Sequence, residues 1–158
     1  MKRKKLFEGK SKKVYETEVE NEIVLEFKDD ARDAKGYKKG TIKGKGIANN
    51  HISSFLLKFL DSYHIPTHFV KELSDKEMMV RKMEMIPVVV VVRNYAAGAL
   101  AKRLGVPDGK ELECPLVEYY LKGGDRDDPM INESHLLSFG QATSPALREI
   151  HRLASKPN

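Results

Sequence analysis

Val88-Val89-Val90-Val91-Val92 restricts the possible folds of this chain more than any other segment. Five β-branched residues in a row crowd a helix and suit an extended chain, so the run is read as a strand. It has no polar alternation, which predicts burial on both faces and a central place in a sheet. Arg93 follows at once. A rigid strand would therefore carry a permanent charge to the end of the sheet, where a guanidinium suits a phosphate or a carboxylate. The competing reading is a salt bridge with a nearby acid such as Glu118. Asn94 and the Ala96-Ala97-Gly98-Ala99 stretch would add backbone N–H donors beside the arginine, as an anion seat.

Around this strand the periods change in a regular order. Leu6 to Thr17 reads as two short strands about a Gly9-Lys10-Ser11-Lys12 tip. Glu22 to Lys28 alternates as a half-buried strand. Asp29 to Gly46, rich in Gly, Lys and Asp, reads as a loop. Ile52, Phe55, Leu56, Phe59, Leu60 and Tyr63 then fall at helical spacing, a stripe expected to pack on the sheet before Pro66 ends the region. Thr67 to Leu73 and Met78 to Glu84 are strand candidates about a Ser74-Asp75-Lys76 turn. Ala96 to Leu104 is a short helix, Pro115 to Leu121 a strand and Gly123 to Asp128 a charged loop. Glu133 to Phe139 and Pro145 to Ser155 are helices, the second capped by Ser144. The predicted fold is α+β in two lobes with a cleft between them. Residues 1–85 form a small antiparallel N-terminal lobe, and 86–158 form a mixed second lobe.

Bulk properties narrow the classes. The 158 residues, 41% apolar and 32% charged, suit one globular domain or two small lobes. The longest apolar run, Ile86 to Val92, is too short to cross a bilayer. No apolar segment follows the basic start, because Glu8, Lys10 and Lys12 interrupt it, so no secretory signal is expected. One cysteine, Cys114, and five histidines without ligand spacing give neither a disulfide framework nor a zinc site. A cytoplasmic protein is expected. The net charge of +5 favours anionic partners of any kind.

Three places could carry chemistry. Gly9-Lys10-Ser11 imitates the end of a P-loop, but Lys4 stands where a glycine is needed and Lys12 to Thr17 reads as strand, so a P-loop is rejected. A glycine at a hairpin tip can still let the backbone approach phosphates, with Lys10 and Lys12 adding charge. Lys82-Met83-Glu84 precedes the step to Pro87, where free backbone groups could read an adenine edge and Met83 could touch its ring. Lys122 and Asp128 flank a Gly123-Gly124 loop and could serve phosphate and Mg²⁺ or a hydroxyl.

In order, these segments resemble the SAICAR synthetase family. The matching stretches are Leu6 to Tyr15, Leu25 to Asp30, Ile65 to His68, Val80 to Pro87 running into Val90 to Asn94, Ala97 to Gly105, and Asp128 to Glu133. The resemblance implies an ATP- and Mg²⁺-dependent ligase that joins carboxyaminoimidazole ribonucleotide to L-aspartate in purine biosynthesis, releasing ADP and phosphate. It implies Gly9, Lys10, Ser11 and Lys12 over the ATP phosphates and Lys82, Met83 and Glu84 at adenine. Lys122 and Asp128 would lie near the nucleotide, Arg93 and Lys122 in catalytic roles, and Arg93, Gly98 and Ala99 at the substrate. Ala99 departs from the family's usual serine, and Ala31 to Gly36 departs from its usual loop. Relatives continue past Asn158, and their Mg²⁺-binding acids lie in that continuation, so a truncated chain without metal ligands is expected. The partners would be small molecules, not nucleic acid or membrane, and an exposed edge or valine-rich surface could pair chains as a homo-oligomer. Two other readings compete: a basic nucleic-acid-binding module, and an inactive fragment that retains nucleotide binding. A kinase-like phosphotransferase lacks H-R-D and D-F-G segments.

Overall fold

Alternating apolar residues on β3 (Glu22–Phe27) and β7 (Glu77–Arg81) build the first core. The computed structural model describes residues 4–32, 39–122 and 128–157. Within them the chain divides into two compact units, Met1–Glu84 and Met85–Asn158.

In the first unit, β1 (Lys5–Glu8), β2 (Lys12–Glu16), β3, β7 and β6 (Phe69–Ser74) form an antiparallel sheet in the order β1-β2-β3-β7-β6. Leu25, Phe27, Met78 and Val80 are buried together, with Val14, Ile23, Leu57 and Phe69 packed against them. The stretch expected to be one loop contains a short ribbon, β4 (Asp30–Arg32) paired with β5 (Lys39–Thr41). Three-residue strands of Asp-Ala-Arg and Lys-Gly-Thr are too short to carry an alternation that a sequence reading could detect. From residue 33 on, the atypical Ala31 to Gly36 loop lies outside the described residues.

The helix α1 (Lys45–Ser62) forms where expected, but its apolar stripe does not pack on the sheet. Ile52, Phe55, Leu56, Phe59 and Tyr63 are exposed, Phe55 to 67%. The helix instead buries Gly46, Asn50 and Ser54 and turns Leu57 towards the core. Two polar anchors fix this rotation. The Gly46 N–H donates to Asp29 Oδ1 at 2.7 Å. The Asn50 side-chain amide donates to the carbonyls of Ser74 and Asp75 at 2.9 and 3.1 Å. Backbone carbonyls at a strand turn need donors when buried, and this requirement outweighs the apolar stripe in setting the helix phase.

The second unit contains β8 (Val88–Ala96), β9 (Lys110–Leu121) and β10 (Met130–Ile131) in the order β10-β9-β8. The valine run is a strand, but among the described residues it lies at the edge of this sheet, and its valines are half-buried. Val88 and Val90 pack against a core of Tyr119, Leu136 and Leu147, so the run follows a one-faced pattern that its uniform composition hides. β9 starts five residues before the expected Pro115. Proline is tolerated there because the β8–β9 register shifts between Arg93 and Tyr95, opposite the 111–116 stretch. The short helix α2 (Ala99–Leu104) begins after Ala96, which still belongs to β8. The helices α3 (Glu133–Ser138) and α4 (Ser144–Ser155) cover the core. The α4 cap is Thr143, whose hydroxyl accepts from the Ala146 N–H, and Ser144 is already helical. Among the described residues no helix is long and apolar enough to cross a membrane.

Candidate functional site

The hairpin tip between β1 and β2 is tight. The Gly9 N–H donates to the Lys12 carbonyl at 2.8 Å, and the Lys28 N–H donates to the Ser11 carbonyl at 2.8 Å. The tip is thus pinned to the end of β3 while Lys10 is exposed. A Cβ at residue 9 would lie 3.2 Å from the Phe7 ring, so a larger residue makes that exposed ring give way slightly. The Lys12 ammonium sits 4.8 Å from the centroid of Phe27. Burial and the Lys12 charge hold the nearby His68 below its ordinary range.

Lys82, Met83 and Glu84 follow β7 as exposed, irregular chain, not as the continued strand expected from the sequence. The Lys82 N–H is committed to the Asn21 carbonyl at 2.7 Å. Among the described residues, the backbone groups of Met83 and Glu84 make no such bond.

In the second unit β8, β9 and α2 meet at one carboxylate. Glu118 faces Val91 in the ladder and lies diagonal to Arg93 on the same side. Its Oε2 accepts from Arg93 Nε at 2.7 Å and from the Tyr120 hydroxyl at 3.0 Å. Its Oε1 accepts from Arg103 of α2. Glu118 is 1% exposed, whereas the side chains of Arg93 and Arg103 are 26% and 39% exposed. Burial pushes the Glu118 carboxyl up, but hydrogen bonds from Arg93, Arg103 and Tyr120 more than offset this and hold it below its ordinary value. Glu118 in turn raises the pKa of both guanidinium groups. Of the two readings of Arg93, the salt bridge to Glu118 is present. It occupies one of five guanidinium N–H groups and so does not prevent anion binding.

The helix start beside Arg93 is not a ready anion seat. The Gly98 N–H already donates to Asp108 Oδ1 at 2.7 Å, and α2 has only six residues. Gly98 has φ 55°, a conformation other residues adopt only with strain. Ala99 is the first residue of α2 and is exposed. Lys122 and Arg93 are not side by side. The Lys122 N–H donates to the Pro87 carbonyl, at the start of β8, whereas Arg93 lies near its far end. That is roughly 20 Å along the ladder at ~3.4 Å per residue. Asp128 is exposed just before β10, and the Gly123-Gly124 loop lies outside the described residues.

Sequence reasoning missed Arg103 and Tyr120. Tyr120 could have been found by alternation, since it shares a face of β9 with Glu118. Arg103, on a six-residue helix, had no such signal. Two depressions are lined by other residues. One of about 260 Å³ lies among Glu133, Leu137, Ser144, Leu147, Arg148 and His151. The other, of about 320 Å³, lies on the β4–β5 ribbon. Among the described residues no three His, Cys, Asp or Glu side chains converge as a metal site.

Comparison with known proteins follows the whole chain. The family model described as SAICAR synthetase matches residues 5–158. A phosphoribosylaminoimidazole-succinocarboxamide synthase of Desulfitobacterium hafniense (strain DSM 10664 / DCB-2) is 54% identical over 153 residues, covering 97% of this chain and 64% of its own length. A crystal structure of phosphoribosylaminoimidazole-succinocarboxamide synthase from Ehrlichia chaffeensis superimposes with a TM-score of 0.88 at 40% identity, over 97% of this chain and 65% of that one. A SAICAR synthetase in complex with ADP gives a TM-score of 0.85 at 40% identity, over 95% of this chain and 64% of its own. The chain therefore spans just under two thirds of the length of these relatives.

Proposed function

The chain belongs to the SAICAR synthetase family, and on that premise we propose that it is the nucleotide-binding and substrate-holding part of an ATP-dependent carbon–nitrogen ligase. The reaction joins carboxyaminoimidazole ribonucleotide to L-aspartate and releases ADP and phosphate, in the cytoplasm. The observation that carries the reading is the match of 95% of the chain to a relative described in complex with ADP. That similarity does not favour the basic nucleic-acid-binding alternative.

ATP supplies the phosphoryl group that turns a carboxylate, a poor electrophile, into one that an amine can attack. The protein's part is placement and charge. Gly9 to Lys12 would cover the phosphates, since a pinned hairpin offers backbone approach and an exposed Lys10. Lys82 to Glu84 would hold adenine, with the backbone of Met83 and Glu84, which makes no backbone hydrogen bond among the described residues, supplying a donor and an acceptor to its edge. Lys122 and Asp128 would lie near the nucleotide. Arg93 would hold an anionic group of the ribonucleotide, with Gly98 and Ala99 beside it, and Ala99 offers no hydroxyl to that ligand. The described residues provide no ligand set for Mg²⁺, so no step is assigned to the metal.

Calorimetric titration with ADP tests the nucleotide half. Saturable binding that Lys10→Ala and Lys12→Ala weaken together is expected; absence of heat for the unaltered chain would sink it. Turnover is measured as ADP release dependent on both the ribonucleotide and aspartate. It is expected only when the remaining third of a relative is supplied.

A further inference from the structure

A carboxylate as deeply buried as Glu118 needs a reason to be charged, and here it has three donors. Arg93 and the Tyr120 hydroxyl share Oε2 at 2.7 and 3.0 Å, and Arg103 takes Oε1. With both oxygens engaged, the group has no freedom to turn. An arginine bound through Nε to such a group is held by one edge, and its Nη groups keep a fixed direction. Arg93 and Arg103 both reach solvent, while the acid between them does not. Two guanidinium groups and one carboxylate leave a net local charge of +1.

We propose that Glu118 is a positioning residue that locks the Arg93 guanidinium, with Arg103 bracing its other oxygen, so that Arg93 grips an oxyanion of the ribonucleotide substrate. This rests on the ligase reading above. A purely electrostatic role predicts the opposite sign. If Glu118 only neutralised charge, removing it would raise the local charge from +1 to +2 and tighten anion binding. If it positions, removing it frees both arginines and weakens binding, although the charge has become more favourable. The oxyanion is the ribose phosphate or the imidazole carboxylate, and the two are separable.

The test titrates carboxyaminoimidazole ribonucleotide, aminoimidazole ribonucleotide (which lacks the carboxylate) and ADP into the wild type, Glu118→Gln, Glu118→Asp and Arg103→Gln. Glu118→Gln is expected to weaken the carboxylated ribonucleotide about tenfold or more, the scale of one charge-assisted hydrogen bond. ADP binding should stay unchanged, and Glu118→Asp should recover part of the loss. Loss with both ribonucleotides assigns the phosphate to Arg93; loss with the carboxylated one alone assigns the carboxylate. Equal or tighter ribonucleotide binding by Glu118→Gln overturns the proposal. Should that variant unfold, the wild-type arginine Nε–Hε resonances decide. Shifted, slowly exchanging signals that Arg103→Gln perturbs support locking, and signals at the free-arginine position overturn it. A wild type that binds ADP but neither ribonucleotide removes the substrate role of Arg93 and this proposal with it. A wild type that binds none of the three defeats the ligase reading itself.

Discussion

Glu8 pairs with two lysines, accepting from Lys28 beyond β3 at 2.8 Å and from Lys5 on its own strand at 2.7 Å. Lys28 first, then Lys5, lower its pKa from an ordinary 4.5 to about 2. A carboxyl whose folded pKa is depressed adds stability that is complete above the unfolded value and is lost as pH falls through the folded one. The Glu8 contribution should therefore fade between about pH 4.5 and 2. Urea midpoints of wild type and Glu8→Gln, followed down this range, should converge; a constant gap would contradict the pairing. Gly46 is the other residue with a sharp consequence. A Cβ there would meet the Phe27 carbonyl oxygen at 2.6 Å and Asp29 Oδ1 at 3.0 Å. Gly46→Ala should cost about 1–3 kcal/mol in urea denaturation, despite alanine's better helix propensity, because backbone must move to admit the methyl. Nothing in the sequence marks Gly46 for this, since the contact joins residues 19 positions apart. Arg93 was legible for the opposite reason. Its charge follows directly on an apolar strand, whereas its partners Arg103 and Tyr120 are set by folding.

At the scale of elements, the strands were the more legible class. β2, β3, β6, β7 and β8 follow alternation or β-branched composition, and local pattern is enough to place them. The α1 helix was legible as a helix but not in its rotation, because Asp29, Ser74 and Asp75 decide that from outside it. The rotation can be tested with a pair of substitutions. Leu57→Ala, on the face turned to the core, should cost roughly 1–2 kcal/mol, below the usual cost for a fully buried leucine. Phe55→Gln, on the exposed face, should change stability by less than about 0.5 kcal/mol. Chemical denaturation of both variants checks the contrast, and a reversed order would mean that the stripe packs inward after all. The edge position of β8 was hidden differently. Five identical side chains give no period, so the one-faced packing of Val88 and Val90 could not be distinguished from burial on both faces.

Across the whole molecule, two cores are built from separate stretches of chain, one around Met78 and one around Leu136. The division follows sequence order, with the first unit ending at Glu84 and the second starting at Met85. Charge was a poorer guide at this scale, since +5 on the chain is compatible with several kinds of anionic ligand. The rings on the outer side of α1, with Phe55 and Phe59 6.3 Å apart and Phe59 and Tyr63 4.8 Å apart, also act at this scale. Sulfate is excluded from protein surfaces and strengthens any contact that removes hydrocarbon from water. The chain should therefore precipitate at low ammonium sulfate and be retained on a phenyl column. Phe55→Gln with Phe59→Gln should shift both thresholds to higher salt, so purification behaviour alone would reveal which way the helix faces.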